Sequence, residues 1–134
     1  MSFEQPGFML GFLKADADYS NVAASQYTAV DLGPSTQTSG TGQGKASAIK
    51  PTAGGLIVGI VQNNPSIGMA VTIMQTGVSM AKMSGTGNSG DVLAVDANGM
   101  FLKATTGQYG VARAIEGYTP GATSTVLLEK LGKQ

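Results

Sequence analysis

The feature that most constrains this chain is a series of seven apolar segments, rich in β-branched residues, between positions 55 and 129. They recur about every ten residues, and glycine, asparagine and proline fill the gaps between them. Short segments at this spacing predict strands of a β-sandwich or a small barrel. The predicted strands are residues 56–62, 69–75, 78–83, 91–96, 100–104, 109–116 and 124–129. We therefore expect an all-β fold with a small barrel or sandwich-like module of about seven short strands.

Local patterns refine this expectation at three places. Residues 56–61 are apolar at consecutive positions, as in a strand that is covered on both faces. Asn98-Gly99, between two apolar segments, predicts a hairpin whose turn residues are left-handed. The charged tail, residues 129–134, is expected to fray. Four methionines in the predicted strands are interpreted as residues that fill gaps in the core: Met69, Met74, Met80 and Met83.

The N-terminal third of the chain has a different composition. Residues 33–45 are almost purely small or polar and predict a flexible loop. Residues 21–32 could form a short helix or an extended segment, and we favour an extended segment for residues 26–31. We therefore divide the chain into an extended N-terminal arm with a flexible loop, residues 1–45, and a β-barrel-like module, residues 46–134.

The arm carries aromatic and apolar side chains that could pack in either of two ways. They could lie beneath their own domain, or they could insert as anchors into a neighbouring molecule. Each fully buried phenylalanine would contribute about 1.5–3 kcal/mol, which is large beside a total stability of about 5–15 kcal/mol. The candidate contact residues for a partner or a second copy are Phe3, Phe8, Met9, Phe12, Tyr19 and Tyr27.

Composition argues against several classes of function. Charged residues make up 12% of the chain, the net charge is zero and the basic residues are scattered. Such a chain has no basic surface that could follow the phosphates of a nucleic acid, so we expect no nucleic-acid partner. The N-terminal segment lacks the basic and long apolar parts of a signal peptide or membrane span, so no membrane association is expected.

The chain contains no histidine and no cysteine. This removes the Ser–His and Cys–His nucleophile pairs and the usual ligands for zinc, copper and haem. Asp16 and Asp18 could touch a hard cation, but no calcium-binding loop follows them. Asp91 and Asp96 flank one predicted strand and face opposite sides of it, which makes them a poor acid–base pair. We expect no enzymatic activity, no cofactor and no metal site.

Residues 85–90, Gly-Thr-Gly-Asn-Ser-Gly, match the glycine pattern of a dinucleotide-binding loop. That loop requires a helix after it, with its N-terminus facing the pyrophosphate. Here residues 91–96 predict a strand, so a flexible hairpin loop is the better interpretation.

The order of glycines and hydrophobic residues in the module resembles that of a known family. Residues 55–61, 67–73 and 76–78, and later 89–96, 99–101, 110–116 and 126–128, are similar to the small capsid cement or decoration proteins of tailed phages, of the lambda head decoration type. The resemblance covers about residues 46–129 and rests on many weak elements in order. No binding residue is transferred by it.

The resemblance implies a function and partners. Members of that family are small β-rich proteins that sit as trimers on the outer surface of the virion. They occupy local threefold positions and stabilise the lattice of the major capsid protein. The resemblance thus implies a homotrimeric, non-enzymatic virion protein, made in the host cytoplasm, whose partner is the major capsid protein. The alternative is a β-structured head fibre or spike, or a glycan-binding module.

Overall fold

The computed structural model of this chain describes residues 9–10, 14–15, 26–32, 47–63, 65, 69 and 71–134. Within them the regular secondary structure consists of strands, and no helix is long and apolar enough to cross a membrane. The strands are β1 (Met9–Leu10), β2 (Lys14–Ala15), β3 (Ala29–Leu32), β4 (Ser47–Ile49), β5 (Gly59–Val61), β6 (Ile73–Met74), β7 (Gly77–Lys82), β8 (Val92–Val95), β9 (Phe101–Lys103), β10 (Tyr109–Ala114) and β11 (Thr123–Lys133).

The strands form two sheets. One sheet has the order β1-β6-β5-β3-β4-β2 and the other the order β7-β11-β10-β8-β9. All neighbours are antiparallel except β2 and β4, which are parallel. The all-β, sandwich-like prediction is confirmed, and strands β5 to β11 each overlap one of the seven predicted segments, in order.

The five-stranded sheet curves back on itself. Its outer strands are β7 and β9. Met83, directly after β7, forms a parallel bridge with Phe101, and the Ser84 N–H donates to the Phe101 carbonyl at 2.8 Å. The two outer strands therefore meet at one end, around the fully buried side chains of Met83 and Phe101.

The central strands of the six-stranded sheet are covered on both faces because their side chains alternate. Ala29, Ile60 and Met74 are cross-strand partners and belong to the larger core cluster, which also contains the inner face of the five-stranded sheet. Their neighbours Val30, Val61 and Ile73 point the other way and form the smaller cluster with Ala48 and Val71. Residues 59–61 are fully covered, as their consecutive apolar character predicted.

Part of the predicted arm belongs to this core. The preference for extended structure at residues 26–31 is confirmed for residues 29–31 by β3, which pairs with both β4 and β5. It was wrong for residues 26–27, which form a turn in which Tyr27 is left-handed. Ala29 and Val30 have no solvent exposure and lie one in each cluster. The division of the chain at residue 45 stays a prediction, and the predicted loop of residues 33–45 lies outside the described residues.

Strand bounds and one chain end differ from the predictions. β5 begins only at Gly59, and Leu56, three residues earlier, is 55% exposed. The tail does not fray: β11 continues to Lys133, which is opposite Tyr109, and the Gln134 N–H donates to the Gln108 carbonyl at 2.8 Å. The prediction of a frayed tail was wrong because it considered charge alone and not the backbone pairing with β10.

The Asn98-Gly99 hairpin between β8 and β9 is confirmed, but its turn is of another type. Gly99 is left-handed with a φ of 82°, whereas Asn98 is not. The Gly99 N–H donates to the Asp96 carbonyl at 3.0 Å, and the Asp96 N–H donates to the Met100 carbonyl at 2.9 Å. This is a type I turn followed by a left-handed glycine, the usual geometry of a three-residue hairpin loop.

The methionine interpretation holds at two of the four positions. Met74 and Met83 are buried in the core, and Met80 is half-buried. Met69 is 55% exposed, so its assignment to the core was wrong.

Candidate interaction surfaces

The structure describes few of the contact residues predicted from the sequence. Phe3, Phe8, Phe12 and Tyr19 lie outside the described residues, and for Met9 only the backbone is described, in β1. Tyr27 is half-buried and packs against the larger core cluster. Its backbone has a φ of 68°, accepts a hydrogen bond from Lys82 at 3.0 Å and donates one to Val61 at 2.9 Å. The role of these six residues in contacts with a partner stays a prediction.

A cleft of about 440 Å³ opens between the two sheets. Its apolar lining includes Leu32 at the end of β3 and Leu56 ahead of β5, which are 57% and 55% exposed. The remaining described walls are residues 57–59, Gln75, the start of β10 and residues 128–130 and 132 of β11. The described charged residues that line it are Asp31, Glu129 and Lys130. Two leucines more than half exposed in one cleft form an apolar surface suited to a partner.

The cleft lies where β7 separates from β11. The two strands are paired from Lys82, opposite Thr123, to Gly77, opposite Leu128. Gly77 has a φ of 103°, a conformation that glycine adopts readily, and Gln75 just before it lines the cleft. β11 continues past this point, and its register against β10 shifts between Gly110 and Ala112. Residues 129–131 form the resulting bulge.

The glycine-rich loop of residues 85–90 is held against Tyr118. Gly87 forms an antiparallel bridge with Tyr118, and the Tyr118 hydroxyl donates to Asp91 Oδ2 at 3.0 Å. The Asn88 N–H donates to the same oxygen at 2.9 Å, and Lys103 Nζ lies 3.9 Å from Asp91 Oδ1. The loop is therefore fastened by specific contacts.

This arrangement settles two expectations about the loop. The predicted strand after it is confirmed by β8, so the helix that a dinucleotide site requires is absent from the position that follows. The interpretation as a hairpin was wrong, because β7 and β8 are not neighbours: β11 and β10 lie between them. The sequence could not show this, since a strand–loop–strand pattern does not specify which strands pair.

Burial and hydrogen bonding shift the pKa values of both partners. The pKa of Tyr118 is raised to about 12, chiefly by burial and then by its hydrogen bond to Asp91. The pKa of Asp91 is lowered, foremost by the hydrogen bond from the Asn88 backbone. Both shifts favour a neutral phenol that donates to a charged carboxylate.

The other carboxylate predicted to flank β8 belongs to a different loop. Asp96 Oδ1 accepts hydrogen bonds from the backbone N–H groups of Asn98 at 2.9 Å and Met100 at 3.0 Å. Lys50 Nζ donates to the Asn98 carbonyl at 3.2 Å, and burial lowers the pKa of this lysine. Asp91 and Asp96 thus each fix a separate turn.

No group of three or more potential metal ligands occurs within the described residues. Asp16 and Asp18, the pair considered for a hard cation, lie outside them.

No local sequence pattern predicts the cleft as a whole. Its residues come from five separate stretches of the chain, and their proximity depends on sheet order. One signal was present: Leu56 stands beside Gly54-Gly55, where a turn makes an exposed position plausible. Leu32, in contrast, continues the apolar pattern of β3 and gives no sequence sign of its exposure.

Comparison with known proteins identifies the fold. No protein-family model matches this sequence, and no curated protein matches it. Among solved structures, the chain is similar to the N base of the head fiber protein gp8.5 of bacteriophage phi29, with a TM-score of 0.70 and 12% sequence identity. The similarity covers 95% of this chain and 98% of that chain. At this identity it establishes a shared fold, which extends over nearly the whole of both chains.

Proposed function

We propose that this chain is a non-enzymatic structural protein of a phage virion, bound to the outer surface of the head. The observation that carries the proposal is the fold shared with the phi29 head fiber base over nearly the full length of both chains. The resemblance of residues 46–129 to capsid decoration proteins supports the same location independently, because it rests on sequence order.

Within this class we favour a capsid cement role. In this role the protein is a homotrimer that binds the major capsid protein at local threefold positions and stabilises the expanded lattice. A partner that binds only one state of the shell stabilises that state by mass action. Three copies in one trimer also raise the effective concentration of each contact once the first has formed.

The test of head binding is direct. Heads prepared without this protein are mixed with the purified full chain and sedimented, and the bound protein is imaged by electron microscopy. We expect saturable binding to the outer surface. Failure of the folded protein to bind heads would contradict the proposal.

A head fibre base is the second candidate, and the phi29 comparison favours it specifically. The two roles differ in what the shell loses when the protein is absent. Removal of a cement protein lowers the burst temperature of heads, because lattice contacts are lost. Removal of a fibre base leaves the burst temperature of heads unchanged, but the head surface then lacks a projection.

A further inference from the structure

The second half of β11, residues 129–133, has an open edge beside the cleft. On one side, residues 132 and 133 pair with β10. On the other side the ladder with β7 ends at Leu128, so residues 129–133 have no strand neighbour there within the described part of the chain. Gln134 Nε2 donates to the carbonyls of Leu131 at 3.4 Å and Gly132 at 3.0 Å, and both contacts are exposed. An unpaired edge of this kind is a template for an additional strand.

The cleft next to this edge can accept side chains. Its volume is about 440 Å³, and two of the residues that line it, Leu32 and Leu56, are each more than half exposed to solvent. A strand laid along an edge directs every second side chain to the same face. An occupant with aliphatic residues at alternate positions would therefore cover both leucines.

The charge of the cleft favours a basic residue in the occupant. Asp31 and Glu129 contribute two carboxylates and Lys130 one ammonium group. The ion pair found within the described residues, Lys103 with Asp91, involves none of these three. From the described residues, the Asp31 carboxylate accepts one hydrogen bond, from the neighbouring Leu32 N–H at 2.8 Å. One negative charge in excess is left at the rim.

We propose that the cleft binds an extended segment of a partner protein, which adds a strand along residues 129–133. Its alternate aliphatic side chains cover Leu32 and Leu56, and a lysine or arginine faces Asp31 and Glu129. Backbone hydrogen bonds then supply affinity and the side-chain pockets supply register. The identity of the partner as the major capsid protein rests on the proposed function.

Hydrogen exchange of the full chain tests this inference. Amide exchange is followed for the free protein and for the protein bound to heads prepared without it. We expect exchange at residues 129–131, which β10 does not pair, to slow by about tenfold or more on binding, because new backbone hydrogen bonds protect amides in this stretch. The exposed loop of residues 119–121 serves as an internal control and should not change.

A matched pair of variants tests the apolar contact. Leu56→Asp places a charge in the cleft, whereas Ile115→Asp places one at another exposed apolar residue, 45% exposed and outside the cleft. We expect Leu56→Asp to weaken head binding by about tenfold or more, and Ile115→Asp by less than about twofold. Both side chains are exposed, so unfolding curves should confirm that both variants fold.

The outcomes separate this inference from the proposed function. If the wild-type protein binds heads but residues 129–131 stay unprotected, or Leu56→Asp binds as well as Ile115→Asp, the inference is wrong and head binding stands. If these amides are already protected in the free protein and lose protection on dilution, a second copy occupies the cleft and the inference is also wrong. If the wild-type protein binds no heads, the proposed function itself fails.

Discussion

Tyr118 and Asp91 show how single side chains fix the connections of this fold. Their hydrogen bond of 3.0 Å joins residues 27 positions apart and holds the loop before β8 against the loop before β11. Gly87 lies against both groups, and a Cβ there would meet Asp91 Oδ2 and the Tyr118 ring and hydroxyl. The glycine pattern that resembles a nucleotide-binding motif is explained, at this position, by close packing.

Gly87→Ala should therefore destabilise the protein. The added methyl group must displace the Tyr118 hydroxyl or the Asp91 carboxylate, and overpacking of this kind costs about 1–3 kcal/mol. The matched control is Gly117→Ala, because a Cβ at Gly117 meets only the Gly87 carbonyl at 3.6 Å. Denaturant unfolding measures both, and equal stabilities of the two variants would contradict the account of this loop.

The raised pKa of Tyr118 also predicts how the free energy of unfolding changes at alkaline pH. Its pKa is raised to about 12 in the folded protein, against about 10 in the unfolded chain. Between these values the unfolded chain has released the phenolic proton and the folded protein retains it, so the free energy of unfolding falls as pH rises. The contribution of the Tyr118 phenol to the free energy of unfolding is fully present below pH ~10 and is lost as the pH passes about 12.

Tyr118→Phe removes this titration, so its unfolding free energy should fall less steeply over the same pH window. Tyr109→Phe is the control, since Tyr109 is a half-buried tyrosine that packs against the same core cluster. Chemical denaturation at several pH values measures the slopes. Parallel curves for Tyr118→Phe and the wild type would contradict the prediction.

At the level of elements, the positions of the strands could be predicted and their ends could not. All seven segments in residues 56–129 contain a strand, because alternation and turn residues are local signals. β11 nevertheless extends to Lys133, since its last residues pair with Tyr109 and Gly110. β3 was assigned to an arm, although its Ala29 and Val30 are among the most buried residues. Pairing partners distant in sequence decide both cases.

Truncation tests where the folded body begins. Deletion of residues 1–45 removes β3 and with it two fully buried side chains and the pairing to β4 and β5. We expect a loss of about 3 kcal/mol or more, enough to unfold a marginal domain. Deletion of residues 1–25 keeps β3 and should leave a folded protein. Circular dichroism and thermal unfolding compare the two, and similar stability of both truncations would place the boundary at residue 45.

At the level of the whole molecule, the fold class was predictable and the order of strands was not. Seven regularly spaced segments are sufficient to indicate a sandwich-like fold. They do not reveal that β11 lies between β7 and β10, or that the chain forms two hydrophobic clusters. Strands β3, β5 and β6 contribute alternate residues to both clusters, which couples the clusters through a shared backbone.

This coupling predicts a single unfolding transition. Ile60→Val trims the larger cluster and Ile73→Val the smaller one, and both side chains are fully buried. Each should cost about 0.5–1.5 kcal/mol and shift the same transition. Calorimetry with near-ultraviolet circular dichroism measures this. Two separate transitions, each sensitive to only one of the substitutions, would show that the clusters unfold independently.

The bridge between Met83 and Phe101 has a consequence for crowded surfaces. Copies held side by side at high local density could pair through unpaired sheet edges and form open-ended aggregates. In the five-stranded sheet this bridge joins the two outer strands at one end, which obstructs side-by-side growth there. Residues 129–133 stay unpaired on one side within the described part of the chain, so an attachment made along them uses an edge that the bridge does not close.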